Sequence, residues 1–134
     1  MLDEKHFQIG EVAELIGLSI PTIRHYGELG IVRPSARSTG GFRLYTQADV
    51  ARFLLIKPFK PLGLNTDEVC RLIETLDELA ATPSLGRRGE LIASLSEFIN
   101  GLQRRCDDLR LIAAAGEASA RALTGELFDA AGNR

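Results

Sequence analysis

Cysteine is scarce in this chain, and its placement excludes two kinds of site. Cys70 and Cys106 are far apart, and neither belongs to a C-x-x-C pair or a cysteine–histidine cluster. Disulfide frameworks and self-contained zinc sites need such clusters. We therefore expect two reduced, buried thiols, no metal site and no cofactor.

Long apolar runs are also missing. The longest is far shorter than the roughly 20 residues that a helix needs to cross a bilayer. The first six residues, MLDEKH, lack the apolar core of a secretion signal. With 45% apolar and 25% charged residues, the composition favours a folded domain over a disordered or fibrous chain. We expect a cytoplasmic protein with no membrane association.

Groups that could form a catalytic centre are few. The two histidines are His6, near one end of the chain, and His25. No nucleophile, base and orienting residue stand in a plausible relation to one another. We predict that the chain is not an enzyme.

The net charge of -2 conceals an uneven distribution. Residues 1–60 contain eight basic and six acidic residues, whereas residues 61–134 contain eight and twelve. Between residues 20 and 60, seven basic residues accompany two acidic ones, a local charge of +5. Such a concentration of positive charge is typical of a surface that binds nucleic acid.

Residues 13–26, AELIGLSIPTIRHY, predict two short helices joined by a tight turn. Gly17 can adopt the left-handed conformation that ends a helix, and Ser19 can cap the next one. A helix-turn-helix presents the outer face of its second helix to the DNA major groove. The candidate DNA-binding residues in this stretch are Ser19, Pro21, Thr22, Arg24, His25 and Tyr26. The alternative is a helical hairpin with a solvated basic face.

Residues 31–33 and 42–45 alternate apolar and polar side chains on either side of a loop that contains Gly40 and Gly41. This pattern predicts a two-stranded hairpin, the wing of a winged helix.

The predicted wing has one apolar and one polar face, because side chains alternate along a strand. Phe42 and Leu44 are expected to point inward. Arg43 and Tyr45 are then expected on the opposite face, beside Arg37. A basic hairpin directly after a helix-turn-helix is suited to contact phosphates. The alternative is a structural hairpin with solvated arginines.

Two further helices follow the predicted wing. Thr46 and Asp49 have the capping-box spacing that opens a third helix, which Pro58 should end early. Asn65 or Thr66 caps a fourth helix over residues 67–79. The apolar residues expected to be buried are Val12, Ala13, Leu15 and Ile16 in the first helix, Val50, Phe53 and Leu54 in the third, and Val69, Leu72, Ile73 and Leu76 in the fourth.

Residues 90–117 predict a long helix of a different character. Its stripe in four-three spacing consists of Leu91, Leu95, Phe98, Leu102, Leu109 and Ile112, with Arg105 as its polar member. A helix of roughly 28 residues, about 42 Å long, cannot bury this stripe against so small a domain. The expected partner is the same helix of a second copy. The alternative is a helix that folds back on its own domain.

These elements predict a mainly α-helical fold with three parts. A winged helix-turn-helix DNA-binding domain with a small β-hairpin wing occupies residues 1–80. A coiled-coil dimerisation helix occupies residues 84–117. Residues 118–134 form either a short extra helix or a frayed tail.

Several strings together resemble the N-terminal domain of MerR-type transcriptional regulators, over about residues 6–79. The strings are FQIGEVA at 7–13, GLS at 17–19, TIRHY at 22–26, GI at 30–31, GFRLY at 41–45, DV at 49–50 and LGL at 62–64. The resemblance implies a homodimer joined through an antiparallel coiled coil, with each second helix in a major groove of double-stranded promoter DNA. It also implies activation by distorting the promoter so that RNA polymerase can engage it.

The resemblance also implies roles for individual residues. It implies DNA contacts by Arg24, Tyr26, Arg43 and Tyr45. It also implies a second wing that contains Lys57 and Lys60. Family members that sense metals or oxidants place cysteines near the end of the long helix and beyond it, and residues 107–134 contain none. An organic effector, or none, is therefore expected. Its pocket would be lined by residues such as Leu76, Leu79 and Phe128.

Two other functions stay open at this point. One is an architectural or excisionase-like protein that bends DNA through the same domain without controlling polymerase. The other is a thiol-based stress sensor that uses Cys70 or Cys106.

Overall fold

The computed structural model of the protein describes residues 5–132. The elements in chain order are β1 (Phe7–Gln8), α1 (Ile9–Ile16), α2 (Ile20–Glu28), β2 (Ala36–Arg37), β3 (Arg43–Tyr45), α3 (Gln47–Ile56), α4 (Thr66–Ala80) and α5 (Leu85–Gly132). The predicted fold class, mainly α-helical with a small sheet and a long final helix, is confirmed. The outer ends of the predicted first domain and tail, residues 1–4 and 133–134, lie outside the described residues. The chain divides into a unit ending at Leu91 and a second beginning at Ile92.

α1 and α2 form the predicted helix-turn-helix. Gly17 ends α1 in the left-handed conformation, with φ 69°, and its N–H donates to the Ala13 carbonyl at 3.0 Å. The Ser19 hydroxyl caps α2 by accepting from the Thr22 N–H at 3.3 Å. Ile23 of α2 is fully buried and anchors the helix in the core.

Leu15 is mostly exposed, and the prediction that it is buried is wrong. Val12 and Ile16, one helical turn apart, define the inward face of the eight-residue α1. Leu15 precedes Ile16 by one position, which rotates its side chain about 100° away from that face.

The sheet has three strands in the order β1-β3-β2, all antiparallel. The first strand of the wing is β2, and the prediction of a strand at residues 31–33 is wrong. Ile31 and Val32 are buried, but their N–H groups donate to the Tyr26 carbonyl at 2.9 and 3.4 Å. They therefore close the end of α2 instead of pairing with β3.

Tyr45 lies inside the first unit, and the prediction that it faces outward is wrong. It ends the three-residue β3 and lies opposite Phe7 of β1, whereas Arg43 begins β3 and lies opposite Arg37 of β2. Tyr45 and Arg43 share one face of the strand, but only its Tyr45 end is covered. Phe53 of α3 lies over that end, 5.9 Å between ring centroids, and Tyr45 is 0% exposed.

Phe42 does not point inward as predicted, because it precedes β3 and belongs to the hairpin turn. It is largely exposed, and Leu44 is half-buried. Gly41, with φ 82°, donates its N–H to the Ser38 carbonyl at 2.9 Å, so the turn lies where Gly40 and Gly41 predicted it.

The caps of α3 and α4 match the predictions. The Thr46 hydroxyl accepts from the Asp49 N–H at 3.2 Å while the Thr46 N–H donates to the Asp49 carboxylate at 2.9 Å. Asn65 caps α4 by accepting from the Glu68 N–H at 2.8 Å. Leu54 is about half exposed, which corrects its predicted burial, because Ile56 joins Phe53 on the inward face of α3.

α5 is one helix of 48 residues, about 72 Å long at 1.5 Å per residue. The prediction that the long helix ends near residue 117 is wrong: alanines, the strongest helix formers, continue it through that region. Leu91, predicted at a dimer contact, is 3% exposed within the single chain and is not available to a second copy. None of the helices within residues 5–132 has the length and apolar character of a membrane span.

Candidate nucleic-acid interface

The outer face of α2 presents most of the residues that the sequence singled out. Arg24, His25 and Pro21 are exposed, and Thr22 is half-buried. They reach the surface because Ile23 holds the opposite side of α2 in the core. This arrangement leaves donors and acceptors free for base edges in a groove.

Ser19 and Tyr26, at the two ends of this face, also have structural roles. The Ser19 hydroxyl lies 2.8 Å from the Thr22 hydroxyl and caps the helix. Tyr26 is half-buried, with its ring 6.3 Å from that of Phe53. Its ring is therefore supported by α3.

His25 has an acidic neighbour on its own helix. Its Nδ1 lies 3.8 Å from a Glu28 carboxylate oxygen, and both side chains are largely exposed. An exposed pair at this distance contributes little to stability. The imidazole therefore stays available to another partner.

Two arginines face each other across the wing. Arg37 of β2 and Arg43 of β3 are paired in the register of the sheet. Like charges directly opposite each other destabilise a sheet, and neither guanidinium forms a salt bridge within residues 5–132. Arg37 donates to the Gly41 carbonyl at 3.2 Å, which holds its side chain over the turn. The pair favours the binding of an anion.

α2 and the wing meet at a pocket of about 380 Å³, which we call the wing pocket. It is lined by Gln8, Ile9, Arg24, Phe42 and Arg43. The pocket brings together Arg24 and Arg43, which the sequence placed in separate elements. Their two positive charges at one opening suit a polyanion such as a nucleic acid.

Tyr45 lies close to both of these arginines. Burial raises the pKa of its hydroxyl above the ordinary value of 10.0. The positive charges of Arg43 and Arg24 and a side-chain interaction with Arg43 lower that pKa, and the charge of Asp49 raises it. The phenol therefore stays protonated at neutral pH. Its oxygen has no hydrogen-bond partner among the described residues.

The lysines predicted to form a second wing lie at different places. A Cβ atom on Gly17 would lie 2.9 Å from the Lys57 ammonium, so Lys57 covers the turn after α1. A cation is favourable at this C-terminal end of a helix. Lys60 instead lines a second pocket, of about 490 Å³, opposite Pro21 and His25 of α2.

Several pocket residues were not among the predicted site residues, and four of them carry polar groups or lie on the wing. Gln8 and Phe42 line the wing pocket, and Asn65 and Thr66 line the second one. Phe42 was missed because the sequence pattern placed it inside the second wing strand and pointing inward, whereas β3 begins at Arg43. Gln8 carries no such signal, because β1 pairs with β3 only through tertiary structure.

Residues 7–76 match the family described as MerR HTH family regulatory protein. This chain belongs to the MerR family.

Among the relatives of this MerR-family chain are three bacterial regulators. The transcriptional activator Mta of Bacillus subtilis is 32% identical over 103 residues, 77% of this chain and 37% of Mta. The regulator CueR of Escherichia coli O6:H1 is 33% identical over 109 residues, 80% of this chain and 81% of CueR. The mercuric resistance operon regulatory protein of Bacillus cereus is 31% identical over 106 residues, 79% of this chain and 76% of that protein. The chain spans about a third of the length of Mta and of TipA from Streptomyces coelicolor.

Solved structures share the fold. A MerR family transcriptional regulator from Listeria monocytogenes superposes with a TM-score of 0.66 at 23% identity, over 92% of this chain and 90% of that one. HiNmlR, described as a MerR family regulator lacking the sensor domain and bound to promoter DNA, superposes with a TM-score of 0.52 at 23% identity, over 77% of this chain and 80% of its own.

The thiols of this MerR-family chain are less enclosed than predicted. Cys70 and Cys106 are both half-buried and both free. Cys70 is half-buried because it follows Val69, a core residue of α4, by one position. Within residues 5–132, no three histidine, cysteine, aspartate or glutamate side chains lie close enough to hold a metal ion.

The predicted dimer residues on α5 differ in exposure. Leu95, Phe98 and Leu102 are half-buried, whereas Leu109 is 42% and Ile112 66% exposed. Other large apolar side chains exposed on the same helix are Leu85, Ile92, Ile99, Leu111, Leu123, Leu127 and Phe128. A helix this apolar on its surface is typical of one that contacts another protein chain.

Proposed function

We propose that this MerR-family chain is a sequence-specific DNA-binding transcriptional regulator that acts as a homodimer on double-stranded promoter DNA. The observation that carries the proposal is the wing pocket, where Arg24 of α2 and Arg43 of β3 meet without a carboxylate to neutralise either within residues 5–132. The printed names of Mta and CueR, a transcriptional activator and a transcriptional regulator, agree with it. The proposal includes no enzymatic activity.

The helix α2 and the wing have different roles in DNA recognition. Thr22, Arg24 and His25 on the outer face of α2 read base edges in the major groove. Arg37 and Arg43 on the wing bind phosphates and set the position of the protein on the duplex. Pro21 and Tyr26 lie at the edges of the α2 face, and Lys60 adds a phosphate contact beside α2. Tyr45 contacts no DNA because it is buried.

The homodimer forms through α5. The half-buried and exposed apolar side chains from Leu95 to Ile112 pack against the same residues of a second copy in an antiparallel coiled coil. A two-fold dimer then presents two α2 helices to two half-sites of one operator. By family resemblance, the dimer distorts the promoter so that RNA polymerase can engage it.

Transcription from the DNA upstream of the chain's own gene tests this function. Purified RNA polymerase is assayed with and without the protein, alongside a gel assay for DNA bending. We expect transcription to change at a protein concentration that saturates the site. A protein that binds and bends this DNA without changing transcription is architectural, and the regulatory proposal is then wrong.

The regulator responds to an organic effector or to none. Residues 107–134 contain no cysteine, and the two thiols lie in different helices, α4 and α5. We expect a variant with Cys70→Ser and Cys106→Ser to match the wild type in the same transcription assay with zinc, copper(I), mercury or an oxidant. A response that the wild type shows and the folded double variant lacks contradicts this expectation and identifies a thiol sensor.

A further inference from the structure

The hydroxyl of Tyr45 is a buried polar group without a partner. Its oxygen has no partner at hydrogen-bonding distance and angle among the described residues, although the Arg43 guanidinium is near enough to act on it, and the whole side chain is 0% exposed. Buried hydroxyls in folded proteins are nearly always hydrogen-bonded, because an unsatisfied one retains its full desolvation penalty. The Arg43 side chain is the nearby donor that could satisfy this hydroxyl.

The surroundings of this hydroxyl are cationic. Arg43 lies on the same face of β3, and both Arg43 and Arg24 act on the hydroxyl electrostatically. The nearby carboxylate of Asp49 is already engaged, since it accepts from the Ser35 hydroxyl at 2.7 and 2.9 Å and from the Thr46 N–H at 2.9 Å. Asp49 therefore does not hold the Tyr45 hydroxyl, whose oxygen can accept a hydrogen bond from Arg43.

The ring that carries the hydroxyl is held in place. It lies opposite Phe7 in the sheet, and its centroid is 5.9 Å from that of Phe53. The position of the oxygen is consequently fixed relative to the helical core, whereas the Arg43 side chain is exposed, and an exposed arginine has several staggered rotamers open to it. A fixed acceptor can select one of those rotamers.

We propose that Tyr45 is a positioning residue, whose hydroxyl accepts a hydrogen bond from the Arg43 guanidinium when that group binds a DNA phosphate in the wing pocket. A guanidinium has five N–H donors, so two can hold the phosphate while another reaches the phenol. This inference rests on the proposed DNA-binding function. It assigns Tyr45 an indirect role in place of the direct contact that the family resemblance implies.

Tyr45→Phe tests the inference because it removes the hydroxyl and keeps the ring. We expect the free variant to melt at the same temperature as the wild type or higher, since an unsatisfied buried group is lost. We expect its affinity for duplex DNA to fall about tenfold, the effect of one hydrogen bond to a charged group. Thermal unfolding and fluorescence anisotropy at fixed salt measure the two.

A double-mutant cycle separates positioning from a general structural effect. In the Arg43→Ala background, Tyr45→Phe should cause no further loss of affinity, because the guanidinium it positions is absent. Arg43→Lys, which keeps the charge without the planar fork, should show the same insensitivity. Tyr26→Phe is the matched control: it removes the other tyrosine hydroxyl of the chain, and its effect should add to that of Arg43→Ala.

Each outcome decides a different point. The inference is overturned if Tyr45→Phe binds duplex DNA with wild-type affinity. It is also overturned if Tyr45→Phe lowers the affinity as much in the Arg43→Ala background as in the wild type. In both cases the proposed function still holds. A wild-type chain that binds no duplex overturns the proposed function and the inference with it.

Discussion

Arg24, Arg37 and Arg43 have no carboxylate partner within residues 5–132, whereas some other arginines of the chain do. Arg52 and Arg87 lie 2.7 and 2.8 Å from a carboxylate oxygen. Unpaired cations on one surface repel each other in the free protein, and a bound phosphate relieves that repulsion. The electrostatics of the individual residues therefore favour a polyanionic partner.

Tyr45 should make the stability of the fold sensitive to alkaline pH. Burial raises the pKa of its hydroxyl above 10.0 in the folded chain. As the pH rises past that value, the unfolded chain loses the phenolic proton while the folded chain keeps it. The unfolded state then binds fewer protons, so the free energy of unfolding falls with rising pH until the folded-state pKa is passed.

Urea denaturation at about pH 8 and about pH 11 measures this effect. We expect the wild type to lose more stability over this interval than Tyr45→Phe, with Tyr26 present in both. Parallel losses in the two proteins would show that the Tyr45 hydroxyl ionises as it does in the unfolded chain.

At the scale of single elements, the angle between α1 and α2 depends on Gly17. Its φ of 69° is strained for any residue with a Cβ, and a Cβ there would lie 2.9 Å from the Lys57 ammonium. We expect Gly17→Ala to lower the free energy of unfolding by about 1 to 2 kcal/mol.

Gly10→Ala is the matched control for this change. Gly10 lies in the first turn of α1, and a Cβ there has no atom within 4 Å. Alanine should therefore stabilise the helix by up to about 1 kcal/mol. Urea denaturation measures the free energy of unfolding of both variants. If Gly17→Ala were as stable as Gly10→Ala, the left-handed conformation of Gly17 would not be what the turn requires.

The elements that could be predicted from sequence are those defined by local interactions. The caps at Ser19, Thr46 and Asn65 form bonds three residues along the chain, so their residue types predicted them. The strands could not be placed this way, because β3 takes its register from β1, which is distant in the sequence. The same tertiary pairing buries Tyr45.

In the candidate site, too, the features set by local sequence could be predicted and those set by tertiary packing could not. Helical periodicity around Ile23 placed Arg24 and His25 on the surface of α2. The meeting of Arg24 and Arg43 in one pocket required the packing of the wing against α2, which no local pattern encodes. The end of α5 was also missed, because the four-three stripe stops at Ile112 while a region rich in alanine, a strong helix former, continues the helix.

At the scale of the whole molecule, α5 has too many apolar side chains on its surface for a chain that works alone. Leu109, Ile112 and Phe128 are all more than 40% exposed. The net charge of residues 61–134 is -4, against +5 for residues 20–60. This asymmetry suits a molecule that binds DNA through its first unit and another copy of itself through α5.

We expect Leu102→Asp to convert the dimer into monomers. Leu102 lies at the centre of the predicted contact, and burying an unpaired carboxylate in a helix interface is strongly unfavourable. Sedimentation equilibrium at micromolar concentration measures the mass.

Leu111→Asp provides the control for this substitution. Leu111 is equally large and 71% exposed, but it lies off the four-three stripe, so this variant should remain dimeric. A wild type that is already monomeric, or the same dissociation in both variants, would contradict the assignment of the dimer to this stripe.

In the proposed complex, α2 reads the base sequence while the wing binds the DNA backbone. A salt titration of binding to the duplex upstream of the gene, and to a shuffled duplex of equal composition, separates these two roles. Four proteins are compared: wild type, Arg24→Ala, Arg43→Ala and, as a control distant in sequence from both elements, Arg121→Ala. We predict that the wild type and Arg121→Ala prefer the upstream duplex and that Arg24→Ala loses this preference. Arg43→Ala should weaken binding to both duplexes alike and lower the salt slope by about 0.9. Equal wild-type affinity for the two duplexes, or a full preference retained by Arg24→Ala, would contradict this assignment of roles.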